Sequence, residues 1–293
     1  MWDIEPRKIL VAVDAAGSEA ALRYAVADAR RRACGIHLVH VDRFTIWSGV
    51  VDEVSVVEGE LRHPGASVLA AAALRVEQLL NESPDDRLSV STELAHGSVV
   101  ATLQSLSRHA SLLVVEHAGM GDEGETSTLS VSAGVAAVAH CPVVAVPSSW
   151  RPHQHEEGTI VVGVEDPPRD VALLEAALHE AERRGAHLRV VRAPTQVAGE
   201  PSDVLDLGGP DVEVDVVVQP GAPAAVLLEH AEHAALVVAG RHHRRHVVGA
   251  PLGRTVRELL RHCAVPVMVV DPLVGDEPAR GRHDSASTSS ARS

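Results

Sequence analysis

The feature that most constrains this chain is that its pattern is written twice. Lys8-Ile-Leu-Val-Ala-Val-Asp14 returns as Thr159-Ile-Val-Val-Gly-Val-Glu165. Each is an unbroken apolar run closed by a carboxylate, which is how a strand buried on both faces reads. A polar turn and a helix follow each run. Leu22, Val26, Ala29 and Ala33 form the apolar stripe of the first helix, and Leu173, Ala177 and Ala181 begin that of the second. Both helices end in Arg-Arg near a glycine, Gly35 or Gly185, which predicts the stop. Second strands are expected at Ile36–Val41 and Leu188–Ala193. The later parts repeat at a constant offset of 124, pairing Gly97 with Gly221, Ser130 with Arg254 and Pro142 with Pro266. Helices about Ser98–His109 and Pro223–His233, strands Ser111–Val115 and Ala235–Ala239, and last strands at Val143–Val146 and Val267–Val270 complete the two series. Strands alternating with helices at this spacing predict an α/β fold, two tandem doubly wound parallel sheets.

The composition suits that architecture. Aromatic residues make up only 2 % of the 293 residues, so Val, Ala and Leu must fill the core. A net charge of −14 disfavours nucleic acid and anionic membrane as partners. The sequence has no stretch of 18 apolar residues, so no membrane span is expected. The segment Met1–Arg7 is charged and lacks the apolar core of a signal peptide, which predicts a cytoplasmic protein. Cys34, Cys141 and Cys263 are far apart and odd in number, giving neither a disulfide framework nor a metal spacing. The boundaries read as residues 1–147, a linker 148–158, a second domain 159–272 and a disordered Ser- and Arg-rich tail 273–293.

The halves are unequal. About 47 residues separate the second and third strands of the first half, including an amphipathic helix near Ala66–Leu80. The second half has about 20 there, Pro194–Asp211, with no helical period, so one crossover helix is expected to be missing. Its third strand, Val212–Val218, alternates apolar and acidic residues and reads as an edge.

This order of elements, ending in Cys141-Pro-Val-Val-Ala-Val146, resembles the universal stress protein family over residues 7–147 and 158–271. The resemblance implies an ATP site after the fourth strand, marked by Gly, two residues, Gly, nine residues, then Gly with Ser or Thr. In open parallel sheets a ligand sits beyond the carboxyl ends of the strands. Glycines let backbone N–H groups approach phosphates, and a helix N-terminus favours an anion. Neither half keeps the signature whole. The first reads Glu116, Gly119, Leu129, Ser130, and the second reads Gly240, His243, Gly253, Arg254. The candidate ligands implied are Asp14, Val41, Gly119, Ser130, Val131 and Ser132 in the first half. In the second they are Glu165, Gly240, Arg241, Gly253 and Thr255.

Each candidate has a plainer alternative. Asp14 also suits a turn carboxylate before Ser18, Ser130 an ordinary helix cap, and the basic run Arg241–His246 a solvated loop. No nucleophile with a base stands at a recognisable spacing, and no metal is expected beyond the magnesium that accompanies a nucleotide. The resemblance therefore implies a stress-response regulator that binds ATP, favouring the first half. A nucleotide-independent scaffold acting through protein contacts is the second reading, and a slow ATP hydrolase the third. The family also pairs its last strands antiparallel, so an intramolecular pseudo-dimer is expected, with a homodimer as a further assembly.

Overall fold

The computed structural model describes residues 7–42, 64–81, 88–117, 125–152, 158–194, 212–241 and 252–271, without the side chains of 125–130. The first half runs β1 (Ile9–Ala12), α1 (Glu19–Arg32), β2 (Ile36–Asp42), α2 (Pro64–Asn81), β3 (Val90–His96), α3 (Val99–Leu106), β4 (Leu112–His117), α4 (Glu125–Val138) and β5 (Val143–Pro147). The second runs β6 (Thr159–Gly163), α5 (Val171–Arg184), β7 (Leu188–Arg192), β8 (Val214–Val218), α6 (Pro223–Ala231), β9 (Ala234–Gly240), α7 (Arg254–His262) and β10 (Val267–Val270). No counterpart of α2 occurs among the described residues, and the expected loop at Pro194–Asp211 lies almost wholly outside them.

Within each half every strand pair is parallel. One sheet of ten strands results, in the order β3-β2-β1-β4-β5-β10-β9-β6-β7-β8. The two last strands join the halves as an antiparallel pair, the one such pair among the described residues, with Met268 opposite Val144. Apolar edges that would otherwise invite association are thereby covered.

The period of two along each strand sorts the core into layers. Ile9, Val11, Leu112, Val114, Val144 and Met268 face one side, under α1, α2 and α5. Leu10, Leu113, Val115, Val143, Val267 and Val269 face the other, under α3, α4, α6 and α7. Continuous apolar runs in the sequence are strands with both faces covered.

One helix stop differs from expectation. Gly185 does end α5, in the left-handed region at φ 60°. In α1 that position is Ala33, at φ 48°, two residues before Gly35. Gly35 is needed for space instead, because a Cβ there would lie 2.8 Å from the Ser89 carbonyl oxygen.

Where α1 and α5 meet across the seam, the structure buries a charge network that the sequence reading missed. Arg32 pairs with Asp28 at 2.5 Å and with Glu180 across the seam. Arg184 reaches back to Asp28 at 3.0 Å and to the Tyr24 hydroxyl at 2.8 Å. The side chains of Asp28 and Glu180 are each 1 % exposed.

Candidate functional site

The carboxyl ends of the adjacent parallel strands β2, β1 and β4 lie side by side, at the end where open parallel sheets take their ligands. Their levels follow from the strand pairing. Ala12 lies level with Val39 of β2 and Val115 of β4, so Val13, Asp14 and Glu116 come just beyond the last paired rung. His40 ties the strand ends together by donating from Nδ1 to the Val13 carbonyl at 2.8 Å, while its Nε2 lies 3.3 Å from Asp42. Helix α2 closes the side. Its Gly65 packs so near His40, Asp42 and Leu94 that an added Cβ would approach each within 3.0 Å.

Asp14 is exposed and organises the turn into α1. Its Oδ1 accepts from the N–H groups of Ala16 at 2.9 Å and Gly17 at 3.1 Å and from the Ser18 hydroxyl at 3.2 Å. The second half holds the same turn from its other end, where Asp170 Oδ2 accepts from the N–H groups of Glu165 and Asp166. Thus Asp14 serves the turn, as its plainer reading anticipated, while standing at the carboxyl end of β1.

Glu116 replaces the first signature glycine. Its Oε2 accepts from the Ala21 N–H at 3.0 Å, beneath the start of α1. Burial holds this carboxyl above its ordinary value, opposed by the N–H groups of Ala21 and Ala20, with the charge of Asp14 adding to the rise. Glu19 of α1 adds a smaller push in the same direction and is itself paired with Arg75 and Arg23. In the second half Gly240 takes the place of Glu116, and among the described residues a Cβ on it would meet the Leu173 side chain, at 3.5 Å. Leu173 stands where the first half has Ala21, so the repeats fill one space in opposite ways: Glu116 with Ala21, Gly240 with Leu173.

The remaining candidates divide. Val41 is a partly buried residue of β2 that packs under α3. Ser130, Val131 and Ser132 were expected at a helix N-terminus, but α4 starts at Glu125, so they lie inside it. The N–H groups beyond a helix's first four residues already have intrahelical partners. Ser132 is fully buried. In the second half the equivalent helix, α7, does begin at the Ser130 counterpart, Arg254, with Gly253 as cap and Thr255 next. Glu165 is exposed after β6. Arg241 is committed to the seam, donating to Asp271 at 3.0 Å and to the Ala139 carbonyl at 2.5 Å. Gly119 and the run 242–246 lie outside the described residues.

With this geometry in place, comparison with known proteins is decisive for kinship. The sequence profile of the universal stress protein family matches residues 5–147 and 195–271. The chain belongs to the universal stress protein family. A universal stress protein of Mycolicibacterium smegmatis is 30 % identical over 287 residues, covering 90 % of this chain and 97 % of that one. One from Mycobacterium tuberculosis strain H37Rv is 32 % identical over 214 residues, covering 63 % of this chain and 68 % of its own. Among solved structures, a universal stress protein from Archaeoglobus fulgidus superposes with a TM-score of 0.68 at 17 % identity, covering 91 % of this chain and 97 % of that chain. At that identity the likeness concerns the fold. The two profile segments omit residues 148–194, yet β6, α5 and β7 there repeat β1, α1 and β2 in order and pairing.

Proposed function

We propose that this universal stress protein is a cytoplasmic stress-response regulator that acts by binding an adenine nucleotide rather than turning it over. The ligand's adenosine end sits at the carboxyl ends of the first-half strands. The observation that carries this reading is a placement: Asp14 follows β1 and Val41 lies near the end of the adjoining β2, with α2 packed against β2 and β3. Asp14 would accept hydrogen bonds from nucleoside hydroxyls or an exocyclic amine. ATP is the ligand that the family resemblance implies, and Mg²⁺ would come with its phosphates rather than with a site of the chain's own.

One observation favours the second reading, a scaffold working through protein contacts: Glu116 fills the first glycine position with a carboxylate. Calorimetry separates the two. Adenine nucleotide titrated into the full chain should bind wild type and Gly253→Trp but not Asp14→Ala. Loss in Gly253→Trp alone would move the site to the second half, and no binding to wild type would leave the scaffold.

A further inference from the structure

The two repeats are opposite in charge where the family signature lies. Residues 116–130 carry Glu116, Asp122, Glu123 and Glu125 and no lysine or arginine. Residues 240–254 carry Arg241, Arg244, Arg245 and Arg254 and no aspartate or glutamate. Geometry points the same way. Helix α4 begins at Glu125, five residues before the Ser130 position, whereas α7 begins at the matching Arg254. The Ser130, Val131 and Ser132 N–H groups are therefore spent inside α4 and cannot cradle a phosphate chain. Glu116 adds a carboxylate on β4, beside the end of β1, bonded to the Ala21 N–H and close enough to Asp14 to feel its charge. Arg23 and Arg75 stand near the start of α1, but both are engaged by Glu19.

Resting on the reading above, we infer that the first-half site takes an adenine nucleoside, or a nucleotide with at most one phosphate, and that Glu116 is the residue that turns a polyphosphate away. Carboxylate oxygens accept from hydroxyl and amine donors but have nothing to offer a phosphate oxygen. A triphosphate brought to this carboxylate would meet like charge in a partly desolvated place, where Coulomb repulsion exceeds its value in water.

Titration calorimetry with adenosine, AMP and ATP on the full chain tests this. Wild type should bind adenosine and AMP more tightly than ATP. Glu116→Gln keeps an acceptor for the Ala21 N–H while removing the charge, and should raise the ATP-to-adenosine affinity ratio about tenfold. That gain should shrink as salt screens the repulsion. The pair Glu116→Gly with Ala21→Leu rebuilds the second half's own packing, and should raise the ratio too without leaving a hole. Tighter binding of ATP than of adenosine to wild type would overturn the inference and leave the nucleotide reading standing. So would an affinity ratio unmoved in both variants. Binding of none of the three ligands to wild type or either variant would overturn the nucleotide reading itself, and the inference with it.

Discussion

Glu116 shows how one side chain changes what a repeated position does. The repeat aligned it with Gly240, and the sequence presented it as a departure from a glycine signature. Only the packing shows where the carboxylate goes: onto the Ala21 N–H, in space that Leu173 fills in the other half. Its folded-state pKa lies above the ordinary glutamate value of 4.5, chiefly through burial. A raised value means that folding favours the protonated form. The stability it contributes is complete below pH 4.5 and is lost as pH rises through the higher folded value. Glu116→Gln, which never charges, should therefore gain stability relative to wild type between pH 4 and pH 7. Urea midpoints of the two proteins across that range provide the measurement. Parallel pH dependences would mean that the carboxyl carries no such penalty.

At the scale of elements, the seam between α1 and α5 carries the structure's densest buried charge. Asp28 and Arg32 occupy the same helix positions as Glu180 and Arg184, so the network is a pair of reciprocal contacts about a pseudo-twofold axis. This is the self-complementary pattern of a twofold interface. The sequence displayed the residues as Arg-Arg ends of two helices, which equally suits cations stabilising a helix C-terminus. Burial changes their weight. Arg184, 5 % exposed, serves Asp28, Glu180 and Tyr24, and removing it leaves two buried carboxylates short of charge. Arg184→Ala should cost about 3 kcal/mol or more. Arg183→Ala removes a far more exposed partner of Glu180 and should cost under about 1 kcal/mol. Chemical denaturation of both variants makes the comparison, and equal costs would show that the network adds nothing beyond a surface pair.

For the whole molecule, the β5–β10 pair makes one sheet of two halves, and both helical layers cross the seam through α1 against α5 and α4 against α7. Neither half can lose its structure without exposing apolar surface of the other. The chain should unfold in a single transition with coincident fluorescence and circular dichroism curves, since β5 and β10 hydrogen-bond the halves into one sheet and each core layer runs through both. Two resolved transitions would show the halves to be energetically independent. The far edge is less finished. Val216 and Val218 of β8 are 45 % and 36 % exposed, on the face that α2 helps cover in the first half.

Local pattern was enough to read the strands, most helices, the repeat and its unequal halves. Burial on both faces imposes unbroken apolar runs, and period 3.6 marks the stripes of α1, α2 and α5. Kinship was also legible, because the order of elements survives the loss of individual signature residues. Three things waited for the tertiary structure. The true stop of α1 is Ala33, since the left-handed position is set by how the chain turns toward β2 and not by where a glycine stands. The start of α4 at Glu125 places Ser130 inside a helix, where the family signature implied its N-terminus. The ion pairs across the seam join residues 148 and 156 positions apart, and the Glu116–Ala21 contact joins residues 95 apart. Periodicity reports which face a residue takes on its own element; it holds no information about which distant side chain will fill the space opposite, and charge and volume at those contacts decide what the site can bind.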